Sequence, residues 1–133
     1  MSKDFSKLLP DPKERSNQKI SPETVLIRLS DTFNDRYQGH ISTTVTSSGS
    51  AVDGKNENLS FTFYLQFNRH NNFIYPLLEA DCIETSGTYP IKVVSHYGPP
   101  TDYGKVETEE QFEVVIEQIL KESRTRNIIL SMY

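Results

Sequence analysis

The chain has 133 residues, long enough for one domain with its own core, and although only 35% are apolar, 7 Phe and 7 Tyr add large area to bury. Its net charge of −4 and pI near 5.3 weigh against a nucleic-acid surface, which needs clustered Lys and Arg. A lone cysteine, Cys82, excludes an intramolecular disulfide, and no run reaches the roughly 20 apolar residues of a membrane helix.

Residues 1–20 are rich in Lys, Asp, Ser and Pro, with only Phe5, Leu8 and Leu9 able to pack, so they read as a flexible N-terminal arm. The arm lacks the apolar centre of a signal peptide, which places the expected home of the protein in the cytoplasm. Residues 21–133 read as a single α+β domain. Ser21-Pro22-Glu23-Thr24 is a helix start: the serine can accept a free backbone N–H, and Pro22 loses nothing at the first helical position. Leu26, Leu29, Phe33 and Tyr37, with Val25 beside them, form one apolar stripe, and Gly39 can end the helix.

From His40 the period changes to two. Ile41, Thr43 and Val45 alternate with Ser42, Thr44 and Thr46 as a first strand, followed by a connection over 47–58. In the second strand Leu59, Phe61, Phe63, Leu65 and Phe67 point one way, towards a core, while Ser60, Thr62, Tyr64 and Gln66 point the other. After the turn Asn68–Asn72, residues 73–83 read as a third strand with Ile74, Leu78, Ala80 and Cys82 inward and Tyr75, Glu79 and Asp81 outward. Pro76 lacks a ladder donor and marks an edge or a bulge. Tyr89 to Tyr97 makes a fourth strand.

Gly98–Gly104 reads as a stiff exposed loop. Thr108-Glu109-Glu110-Gln111 is then a capping box, opening a helix whose stripe is Phe112, Val115, Ile116, Ile119 and Leu120. The polar run 121–126 leaves open whether residues 109–133 are one helix or two. The expected fold is α+β: a four-stranded antiparallel meander sheet with N-terminal and C-terminal helices packed on one face.

No residue set points to catalysis, a metal or a cofactor. His40, His70 and His96 lack a His, Cys or carboxylate at ligand spacing, and Cys82 falls on an inward face. Glu79, Asp81 and Glu84 form the best candidate carboxylate cluster, two of them on one strand face. Phosphate-loop, nucleophile-elbow and zinc-helix patterns are missing.

The chain is therefore expected to be a non-catalytic cytosolic protein-binding module. In size, acidity and lack of a site it is similar in type to small immunity proteins and antitoxins, with no shared motif. Its acidic body suits a basic protein partner, not nucleic acid or a membrane. The candidate contacts are Tyr64, Tyr75, Glu79 and Asp81 on the strands and Tyr97, Pro99, Pro100, Asp102 and Tyr103 at the loop. Two alternatives are a small-ligand pocket between sheet and helices, and a homo-oligomeric subunit, such as a homodimer, built by strand pairing or by the segment Ile128–Met132.

Overall fold

Ser21 opens helix α1 (Pro22–Tyr37) by accepting the Thr24 N–H on its side-chain oxygen at 3.2 Å. Gln38 and Gly39, both with left-handed backbone at φ 41° and 88°, close it. The structure is a computed structural model and describes residues 7–11, 20–50, 57–83, 87–95 and 101–133, without the side chains of Ser50 and Glu57. The expected arm therefore lies largely outside the described residues, as do Tyr97, Pro99 and Pro100.

Five antiparallel strands follow in sequential order: β1 (Ile41–Ser50), β2 (Glu57–Phe67), β3 (Phe73–Cys82), β4 (Ile91–Ser95) and β5 (Thr101–Val106). The meander matches the expected α+β class, with one strand more than expected. Where a loop was expected to run to Gly104, Thr101 and Asp102 instead pair with Ser95 and Val94. Half-buried Tyr103 and buried Val106 lie on the inner side and exposed Asp102 and Lys105 on the outer, at three-residue spacing because the register shifts by one residue between Lys92 and Val94. The Asp102 carboxylate accepts the Gly104 N–H at 2.7 Å, and Gly104 has φ 82°. These turn-like features inside the strand hid it from composition.

The alternating face of β2 lines the core. Phe63, Leu65 and Phe67 are wholly buried and Phe61 nearly so, facing Leu26 and Phe33 of α1 and the inward residues of β3 and β4. Each such side chain contributes roughly 1.5–3 kcal/mol on burial. α1 lies against β1 and β2. The next helix, α2 (Glu109–Lys121), lies against β5 and adds Phe112, Val115, Ile116 and Ile119 to the same core.

One strand face was misassigned. β3 carries a bulge: Phe63 pairs with Leu78, while the next residue, Tyr64, pairs with Pro76, leaving Leu77 as the extra residue. The added residue inverts the alternation N-terminal to it. Tyr75, expected to face out, is 1% exposed in the core, and Ile74, expected to face in, is 55% exposed.

The C-terminal region is two helices. Glu122 adopts extended backbone (φ −62°, ψ 139°) and separates α2 from α3 (Ser123–Met132). Among the described residues, no helix is long and apolar enough to cross a membrane.

Candidate functional site

The residues expected to meet a partner divide between opposite sides of the sheet. Tyr64, Glu79 and Asp81 are half-buried and Asp102 is exposed, all on the face away from the helices. Pairing places Glu79, Val94 and Asp102 in one row across three strands, and Asp81, Lys92 and Lys105 in the next. The carboxylates are thus interleaved with lysines, and Lys92 Nζ lies 3.2 Å from Asp102 Oδ2. The Gly104 N–H and, after it, Lys92 hold the Asp102 carboxyl below the usual range. Lys92 thus offsets one of the carboxylates on this face.

Tyr103 belongs to the inner side, where its hydroxyl donates to the Glu122 carboxylate. Burial, and then that carboxylate, push its phenol well above the ordinary value. Tyr75 is a core residue, 1% exposed.

The remaining chemistry-bearing groups stay apart. Cys82 is buried, and burial followed by the charge on Asp81 raises its thiol, the opposite of an activated nucleophile. His40 packs edge-on against Tyr133 with ring centres 5.5 Å apart, His70 sits exposed in the β2–β3 turn, and His96 lies outside the described residues. Among the described residues, no group of three or more His, Cys, Asp or Glu is placed to hold a metal ion.

A concavity lies between the C-terminal half of α1 and α3. Leu29, Phe33 and Tyr37 occur at four-residue spacing on one flank of α1. Leu120 from the end of α2 and Ile129 and Leu130 from α3 complete an apolar lining around about 350 Å³. The wall is stiffened by ring contacts, Phe33 to Tyr37 at 5.8 Å and Tyr37 to Tyr133 at 5.3 Å. Arg36 and Arg126 also line the groove, and among the described residues neither has an ion-pair partner. Leu130 is 72% exposed and separates this groove from a second, more open hollow lined by Tyr75, Arg124, Asn127 and Ile128.

The sequence contained the parts of the groove but not their meeting. The stripe of α1 is legible as an apolar face without showing that its C-terminal end lacks a complete cover. The position of α3 depends on the break at Glu122, which a single tertiary hydrogen bond from Tyr103 accompanies. Core side chains fill much of the space between sheet and helices, and a hollow of about 140 Å³ lined by Glu23, Ile27, Val45 and Phe61 lies between α1 and the sheet. No protein-family model matches the chain, and neither a curated protein nor a solved structure matches it.

Proposed function

We propose that the chain is a non-catalytic protein-binding module that receives a short amphipathic segment of its partner in the α1–α3 groove. The observation that carries this reading is the combination of an apolar lining with two arginines that have no ion pair among the described residues. An amphipathic helix laid in such a groove inserts residues at i, i+3 and i+4, and flanking carboxylates meet the guanidinium groups. Arg36, Tyr37 and Arg126 are of the residue types that dominate binding hot spots, and the exposed Leu130 extends the apolar surface beside them. The partner surface is then acidic and apolar, whereas the body charge alone favoured a basic one. Neutralisation of a toxin is one form such binding takes, and the activity of the captured partner decides it.

The test is comparative capture from a native lysate followed by mass spectrometry. A stoichiometric partner retained by the wild type and by Thr46→Lys on the opposite sheet face, but lost with Leu130→Asp or Arg36→Glu/Arg126→Glu, is the expected result. A partner held equally by all four proteins would place binding elsewhere.

A further inference from the structure

The two edges of the sheet differ. β5 is short, shifts its register against β4 and carries Asp102 and Lys105, features that discourage a further strand. β1, at the other edge, runs 10 residues with neither a charged side chain nor a proline. The ladder shows which of its backbone groups are free. The Asn68 N–H donates to the His40 carbonyl at 3.1 Å, and Ile41 pairs with Phe67. Direction alternates along an antiparallel pair, so even-numbered residues turn N–H and C=O towards β2, whereas Ile41, Thr43, Val45 and Ser47 turn theirs to the open edge. Among the described residues, no other group is hydrogen-bonded to the backbone of these four.

One flank of α1 overlooks this edge. Glu23, Ile27, Ser30 and Asn34 lie in one line along the helix, at three- and four-residue spacing. The Ser30 and Thr43 hydroxyls are hydrogen-bonded to each other, and the Thr43 hydroxyl donates to Asn34 Oδ1 at 3.4 Å, which sets the line above β1. Ile27 is 45% exposed, over the hollow it lines with Val45 and Phe61. We propose that β1 pairs antiparallel with β1 of a second copy, joining the two sheets into one.

A second copy fits because the strand is complementary to itself. One register uses all four outward-turned residues: Ile41 opposite Ser47 and Thr43 opposite Val45 of the second copy, and the reverse. It forms about eight hydrogen bonds between the copies and sets Thr44 on the two-fold axis, facing its own counterpart. On the outer face Thr44 meets Thr44 and Ser42 meets Thr46, hydroxyl pairs suited to cross-strand contact, and no like charges meet in the ladder. The axis stands normal to the sheet, so both α1 helices lie on one face, turn their Glu23–Asn34 lines towards each other and cover Ile27. Leu29 and Arg36, which line the α1–α3 groove, belong to the other flank of α1, so the pairing does not depend on the groove's occupant.

Sedimentation of the full chain over a wide concentration range tests the assembly, and cysteine cross-linking tests the register. Wild type is expected to sediment at twice the chain mass. Thr44→Lys sets two lysines face to face on the axis, and Ser47→Pro removes an edge donor without touching the β1–β2 ladder; each should weaken the dimer roughly tenfold or more. Thr44 and Ser47 are exposed, so both variants keep the fold, which circular dichroism verifies. Thr44→Cys places two thiols on residues about 4.5 Å apart at Cα and is expected to give a disulfide-linked dimer with diamide as oxidant. Thr46→Cys, about 13 Å along the strand from its counterpart, should not, and the buried Cys82 is common to both. A monomer at every concentration, a dimer indifferent to Thr44→Lys and Ser47→Pro, or cross-linking no faster in Thr44→Cys than in Thr46→Cys overturns the proposal.

Discussion

The hydroxyl of Tyr103 on β5 donates to the carboxylate of Glu122, the residue whose extended backbone separates α2 from α3. The bond ties the last strand to the helix break, and hence to the placement of α3 along the groove. Arg124 lies 3.6 Å from the same carboxylate, so Glu122 is held from two sides.

Removing that donor with Tyr103→Phe is expected to cost about 1 kcal/mol, as for a hydrogen bond to a carboxylate that keeps some access to water. The loss is read from urea unfolding. Two-dimensional NMR spectra should show shifts concentrated in residues 122–132, and a variant with α3 unchanged would separate the bond from the helix break.

Stability is expected to fall in alkali. Burial raises the phenols of Tyr103 and Tyr89 in the folded chain, whereas in the unfolded chain both ionise near the ordinary value of about 10. The unfolded state therefore loses these protons first. The associated stability is complete below about pH 10 and declines as pH rises above it. Urea midpoints measured from pH 8 to 11 should drop, with a shallower slope in Tyr103→Phe; a flat profile would contradict the sign.

Tyr75 and Tyr64 should respond in opposite ways. Tyr75→Ala empties a fully buried core position and is expected to cost about 3–5 kcal/mol, whereas Tyr64→Ala, on the outer face opposite Thr44 and Pro76, should cost about 1 kcal/mol or less. Thermal and urea denaturation compare them directly. Similar losses would mean that the bulge at Leu77 does not set the face of Tyr75.

At Gly49 (φ 134°) an added Cβ would stand 2.7 Å from the Asn58 carbonyl oxygen. Gly49→Ala is expected to destabilise by about 1–3 kcal/mol, since both backbone conformation and the β1–β2 approach must change. Gly39→Ala, with left-handed backbone but open space around it, provides the comparison and should cost less.

The cap of α2 offers a local test. The Gln111 N–H donates to Thr108 Oγ1 at 3.2 Å, and the Gln111 side-chain oxygen accepts the Glu107 N–H at 2.8 Å. Thr108→Ala should cost about 1 kcal/mol in urea unfolding and Thr108→Ser little. Equal losses in both would assign the role to the threonine methyl.

Much of the fold was legible because local periodicity and burial agree. The alternation from Leu59 to Phe67 and the stripes of α1 and α2 each leave one apolar face that water disfavours, so a sheet with helices on one side follows. β5 was missed because Gly104 and the Asp102 side chain mimic a turn inside a paired strand. Tyr75 was misplaced because one extra residue at Pro76–Leu77 shifts parity, and no composition rule fixes on which side of a proline the bulge falls.

The amino-acid order by itself determined α1 and α2, the core-lining face of β2 and the antiparallel class, since these arise from the spacing of apolar side chains along each segment. The groove, the fifth strand and the split of the candidate tyrosines between two sides of the sheet were decided only in three dimensions. Each depends on residues distant in sequence, Tyr103 with Glu122, Val94 with Asp102, Leu29 with Leu130, whose proximity comes from how whole elements pack.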